Sequence, residues 1–405
     1  MRNCGVVVFG LWVAAAPAQI LVNRDGGLVR IHNTDLAVFE AGEPRSDLPC
    51  VVSPEKPFLG FDLRFHGGYD VAVPLRELAS HDNLLTILFR VYPEGQPEAH
   101  RYFVQRIRVP RIEDEAKGDA VLEGSFDIGE GKYHVDWLMR DRAERVCSSS
   151  WDAEANLPAK DKQIAVGIHP GVIEATHAEQ FHDDPPIERI LDDSSLNVKI
   201  LVNFAPQRVT SAALRPLDTA ALVSMLRSLN RQPRIGRYSI VAFNLQEQRV
   251  FFRQDGAERI DFRALGESLN SVSLGTVDLK HLSLKNSETQ FLAELFAKEL
   301  PANAARPDAV IFAGPKAMLS ANISEDDLKR VGAIEYPLFY MNYVLQPQAQ
   351  PWRDTIGNAV RFFKGTEYTV SRPRDLWYAV TEMVSRIAKS RNGKQVAAVS
   401  LDREL

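Results

Sequence analysis

Val198-Lys199-Ile200-Leu201-Val202 is the stretch whose reading decides the fold. Four large apolar residues surround one lysine, in a run too short for a helix and without polar alternation. Such a run reads as a strand buried on both faces of a sheet. Residues 217–229 follow, with Leu222, Met225, Leu226 and Leu229 recurring at helical spacing. The alternation then continues. Strands are expected at 238–243, 249–252, 309–312, 338–345 and 368–370, and helices at 288–300, 324–330 (capped by Ser324), 354–363 and 375–387. Apolar strands between amphipathic helices indicate a doubly wound, mainly parallel α/β sheet, here over residues 196–389. Residues 390–405 read as a tail.

Upstream the pattern changes to strands alone. Residues 58–65 (FLGFDLRF), 84–92 (LLTILFRVY), 101–109 (RYFVQRIRV) and 121–128 (VLEGSFDI) are rich in β-branched and aromatic residues. Gly67-Gly68, Pro93-Glu94-Gly95 and Gly129-Glu130-Gly131 read as the turns between strands. In residues 131–139, Tyr133, Val135, Trp137 and Met139 share one face, with His134 and Asp136 on the other. Short strands at this spacing predict a β-sandwich within 19–155, its core at about 50–155. Residues 19–40 read as strands or a separate arm. Residues 156–195 read as a connector with one candidate strand at 164–168 and a break at Pro185-Pro186.

The first 18 residues combine Arg2, an apolar run from Cys4 and an Ala16-Pro17-Ala18 end, which is how a secretory signal peptide reads. Export follows as an expectation, periplasmic or extracellular, with no membrane span after cleavage. Cys50 and Cys147 then remain, as either a disulfide or two separate buried thiols. Hydrophobic residues make up 45% of the chain and charged residues 25%, which excludes a disordered chain. With 48 Lys+Arg against 53 Asp+Glu, the net charge of -5 argues against an electrostatically driven nucleic-acid binder.

The order of elements over 196–389 resembles a von Willebrand factor type A domain. Residues 360–387, with the Gly365-Thr366 turn and Arg374-Asp375-Leu376 opening a helix, resemble the end of bacterial proteins related to that family. The preceding sandwich, whose 131–139 strand leads to Cys147 and Trp151, resembles the immunoglobulin-like domain that accompanies such modules. The resemblance implies a metal-ion-dependent adhesion site at the carboxyl ends of the strands, built on Asp-x-Ser-x-Ser, a Thr and a later Asp. Here those positions fall on Asn203, Ala205 and Gln207, on Thr276, and on Gly314. No Asp or Glu occurs in 196–217 or 309–324, and Asp308 lies at the wrong end of its strand. Mg²⁺ needs hard oxygens and carboxylates around it, so the site reads as degenerate. Lys316 stands two positions beyond Gly314, either as a solvated loop lysine or as a cation that receives an acidic partner group.

Other chemistry has weaker footing. Gly314-Pro315-Lys316-Ala317 lacks the spacing of a phosphate-binding loop, and Gly129-Glu130-Gly131 lacks the third glycine of a dinucleotide fingerprint. No cofactor is expected. Gly266-Glu267-Ser268-Leu269-Asn270 ends wrongly for a nucleophile elbow and falls on a helical stretch. His177, His182, Asp183 and Asp184, with His169 nearby, form the densest set of potential metal ligands, but their spacing is not His-Glu-x-x-His, and they read first as a solvated polar connector and only second as a loop-built metal site. The expectation is an exported, non-enzymatic protein with an immunoglobulin-like sandwich and a metal-independent A-like domain that binds a protein partner. The alternative is an exported hydrolase built from the connector and the strand-end loops.

Overall fold

The computed structural model describes residues 20–22, 31–79, 83–113, 115–176, 180–190, 194–207, 214, 216–272, 286–301, 306–319, 321–345 and 353–401. The chain divides into two compact units, Met1–Ala178 and Glu179–Leu405. The signal-peptide segment, Thr276 and His177 lie outside the described residues. Among the described residues, no helix is long and apolar enough to cross a membrane.

The first unit holds two antiparallel sheets. One runs β1 (Ile20–Val22), β5 (Arg101–Val109), β4 (Asn83–Pro93), β7 (Gly131–Arg140) and β8 (Val146–Ala155). The other runs β2 (Val51–Leu59), β3 (Phe65–Pro74), β6 (Asp119–Ile128) and β9 (Ile173–Ala175). Aromatic rings fill the space between them: Tyr69 and Phe126 from the second sheet meet Phe89, Phe103, Trp137 and Trp151 from the first. Tyr133, Val135, Trp137 and Met139 are all buried, as the alternation of β7 requires. On the opposite face, Leu138, Leu88 and Val104 are covered by Phe39 of the helix Asn33–Ala41. A disulfide joins Cys50, just before β2, to Cys147 in β8.

Several sequence expectations are corrected here. Residues 58–65 are not one strand, because Gly60–Arg64 turn between β2 and β3, with Leu63 in the left-handed region. Gly67-Gly68 is not a turn but the interior of β3. A Cβ on Gly67 would sit 2.8 Å from the Phe126 ring, and one on Gly68 2.8 Å from the carbonyl oxygen of Gly124. These glycines serve close packing. Gly129-Glu130 is not a hairpin tip, since β6 and β7 lie in different sheets. Residues 33–41 are helical rather than extended. Residues 164–168 form no strand, and the strand of this region is β9, paired with β6. Beyond residue 389 the last helix continues to Leu401.

The second unit is built on one mixed sheet in the order β12 (Arg249–Ala257), β11 (Ile235–Asn244), β10 (Leu196–Asn203), β13 (Ala309–Pro315), β14 (Leu338–Tyr343), β15 (Thr366–Val370). Every neighbouring pair is parallel except β11 with β12. Both faces are covered. Leu201, Phe243, Phe312 and Tyr340 pack with Leu292, Phe296, Leu328 and Val360 from the helices Ser287–Glu299, Glu325–Arg330 and Thr355–Phe362. The helix Pro216–Asn230 packs on β13 and on the final helix, Pro373–Leu401, which also packs on β15. Ser324 caps its helix by accepting from the Asp327 N–H, as the sequence predicts. The chain leaves β10 toward β11 on one side and returns to β13 on the other. In such sheets the crevice for ligands opens at the carboxyl ends of the strands where the order reverses.

Candidate functional site

At that crevice, between β10 and β13, the structure brings Asn203 and Gly314 together. A Cβ on Gly314 would lie 2.9 Å from the Asn203 Cβ and 3.1 Å from its carbonyl oxygen, so glycine is what lets the two strand ends approach. Asn203 is 1% exposed, and its Oδ1 accepts from the Leu245 N–H at 3.2 Å. Gln207 is also buried, with Oε1 accepting from the Leu345 N–H at 2.9 Å. The Ala205 carbonyl oxygen is 3.2 Å from Tyr343 Oη. All three positions carry loop architecture through hydrogen bonds to backbone or to a buried phenol.

The gap in acidic residues at 196–217 and 309–324 does not leave the crevice without carboxylates, because three arrive from elsewhere. Asp218, at the start of the helix Pro216–Asn230, is fully buried with Oδ1 3.4 Å from Tyr343 Oη. Asp354 accepts from the Ala317 N–H at 3.1 Å, and Glu367, on β15, takes the Asn342 Nδ2 hydrogen at 2.8 Å. Lys316 Nζ lies 3.4 Å from Glu367 Oε1, with its side chain only 18% exposed. It is an ion-paired, largely covered lysine rather than a solvated one. Burial pushes the Asp354 carboxyl up against the backbone N–H groups of Gly357 and Ala317, which oppose the shift; Glu367 adds to it and Lys316 opposes it more weakly. Sequence reasoning missed Asp354 and Glu367 because they lie outside both loops of the expected motif.

A second polar cluster, also unread in the sequence, lies in the first unit, where Asp62, His66 and Asp127 group closely enough to suggest a metal. His66 Nδ1 is 2.8 Å from Asp127 Oδ1, and Nε2 is 3.0 Å from Asp62 Oδ1. Arg64 lies 3.6 Å from Asp127, and Thr176 donates to it at 2.6 Å. Burial pulls the ring toward neutrality, but the bonds to Asp127 and Asp62 outweigh it and push the His66 pKa up to about 10. Burial likewise opposes ionisation of Asp62, while His66 and the Arg64 backbone hold that carboxyl below its ordinary value. Each ring nitrogen faces a carboxylate oxygen, which favours the imidazolium with both nitrogens donating. This is an imidazolium clamp between β3 and β6.

A folded-state pKa above the unfolded value means that the clamp stabilises fully below about pH 6.5. Its contribution falls away as pH rises toward 10. Urea unfolding at pH 6 and pH 10 should therefore show a larger loss in the wild type than in His66→Gln. Equal losses in the two proteins would contradict the clamp.

Around residue 182, where the sequence leaves a solvated polar connector or a loop-built metal site open, the structure places arginines. Arg227, 6% exposed, donates to His182 Nε2 at 2.8 Å and lies 3.5 Å from Asp184 Oδ1, while Arg231 pairs with Asp184 at 2.9 Å. A guanidinium only donates, so the His182 nitrogen facing it accepts. Cations already occupy these ligands. His169 is on the other unit's side of the division. Ser268 lies on the helix Phe262–Leu269 and donates to the Ala264 carbonyl at 2.8 Å, a local backbone bond rather than a nucleophile's.

No protein-family model matches the chain, and no curated protein matches it. Among solved structures, it is similar to the PilB minor pilin from Streptococcus sanguinis at 7% identity and a TM-score of 0.26, over 75% of this chain and 87% of that one. It is also similar to a glycosyl hydrolase family 2 member from Bacteroides cellulosilyticus at 7% identity and a TM-score of 0.19, over 79% of this chain and 38% of that one. A Bacteroides uniformis β-glucuronidase stands at 10% identity and a TM-score of 0.18, with 78% and 38% covered. Similarity at this level assigns no function.

Proposed function

We propose that the second unit is a von Willebrand factor A-like module that binds a protein partner at the carboxyl edge of its sheet without a divalent ion, in a protein that works outside the cytoplasm. The observation that carries this reading is the strand order, with five parallel strands, one antiparallel edge strand and a reversal between β10 and β13. Metal independence is supported by Asn203, Ala205 and Gln207, which supply no carboxylate and whose polar atoms hold the loop. Lys316, two positions beyond Gly314, brings a positive charge to the same loop, paired with Glu367. The Cys50–Cys147 disulfide fits an oxidising compartment.

A photo-crosslinking residue tests the surface. Placed at Met318, beside the crevice, it should capture a protein from the envelope fraction of the source cells with chelator present. Placed at Asp255, on the antiparallel edge strand and toward the opposite end of the sheet, it should capture none. Equal capture at both positions, or capture only with Mg²⁺, would count against the reading.

A further inference from the structure

Beside the crevice the carboxyl ends of β13 and β14, with Glu367 near the start of β15, gather oxygen atoms with few donors. Asn342, next to last in β14, is fully buried, with its Oδ1 lacking a hydrogen-bond partner. Asp354 is 7% exposed; its Oδ2 makes no well-aligned hydrogen bond, although the Gly357 backbone N–H lies close enough to favour the ionised carboxylate. Gly357 keeps the space between carboxylates clear: a Cβ there would lie 2.9 Å from Asp354 Oδ2 and 3.4 Å from Glu367 Oε2. Buried polar atoms are rarely left without a partner, so each such oxygen calls for an explanation. Two carboxylates and one amide oxygen make a hard donor set, and the cation against them is the Lys316 ammonium. One ammonium leaves two carboxylates undercompensated, whereas a divalent ion would balance them.

We propose that Asp354, Glu367 and Asn342 form a cation site whose resident cation is the chain's own Lys316 ammonium, and that a hard divalent cation takes the same place once that ammonium is removed. The inference deepens the metal-independent reading, since the tethered ammonium supplies the charge that an ion would otherwise bring. Ca²⁺ and Mg²⁺ both accept carboxylate and amide oxygens and complete their shells with water. Lys316 and Glu367 are partly exposed, so solvent and ions reach the site.

The test compares the full wild-type chain, Lys316→Met and Lys316→Gln by thermal melting and by calorimetric titration with Ca²⁺ and Mg²⁺, each against chelator. Wild type should not respond. A Lys316 variant should melt at reproducibly higher temperature with at least one of the two ions, and adding Asp354→Asn should abolish the response. If both folded Lys316 variants ignore both ions, the cation site is overturned while the metal-independent reading stands. If the wild type itself responds, the metal-independent reading fails instead.

Discussion

Replacing Cys50 and Cys147 together by serine should cost the strand-rich unit about 4–5 kcal/mol. The bridge closes 97 positions of sequence, and in the chain-entropy account a loop that long restricts the unfolded state by that amount. It ties the entry of β2 to β8 and so links the two sheets at one end. With two units in the chain, unfolding has to be followed by a probe that reports the first. Trp137 and Trp151, which contact Tyr69 between the sheets, provide one. Their denaturant transition should move sharply to lower urea in the double variant. A difference below about 1 kcal/mol would show that the native pairing contributes little.

Arg227→Met should be the most damaging single change in the second unit. Arg227 is buried, donates to the carbonyl oxygens of Gln180 and His182 and to the His182 ring, and lies over the Phe262 ring at 5.1 Å. Methionine keeps much of the volume but removes every donor. Removing one partner of a buried ion pair costs about 3–5 kcal/mol, because the other charge stays buried. Arg231 remains beside Asp184, which places the expected loss near the lower end, about 3 kcal/mol. Segment 180–190 should also become more susceptible to proteolysis. An Arg227→Met protein with wild-type urea unfolding and proteolysis would contradict this role.

The elements that the sequence reading found are those where period and length agree. Residues 101–109 form β5 as expected, and β7 buries the face marked by Tyr133, Val135, Trp137 and Met139. The helices after β10 appear near their expected places because their apolar stripes face a sheet that covers them. Errors cluster where a residue's local meaning depends on a distant neighbour. Gly67 and Gly68 look like a turn until Phe126 and Gly124 are set against them by strand register. Residues 33–41 lack a strong helical stripe, and that helix rests on β7 and its neighbours, which local pattern does not reveal.

The candidate sites follow the same logic. Asn203 and Gly314 are named by the resemblance to a von Willebrand factor A domain, whose motif falls on them, and the structure sets them side by side. Asp354 and Glu367 could not be named that way, since a helix start and an edge strand, far along the chain from Lys316, carry them there. His66 and Asp127 meet only through the pairing of β3 with β6, 61 positions apart. The density of His and Asp around residue 182 marks a polar segment in the sequence, but not the two arginines that the structure places against His182 and Asp184.

The most direct test of metal independence is the melting temperature of the full wild-type chain with millimolar Mg²⁺ or Mn²⁺ against chelator. A ligand that binds only the native state adds about 2.7 kcal/mol at a hundredfold excess over Kd, so an intact adhesion site would be plain to see. The account predicts no shift with either ion and none with chelator. A reproducible Mg²⁺-dependent rise that disappears in Thr276→Ala would contradict it.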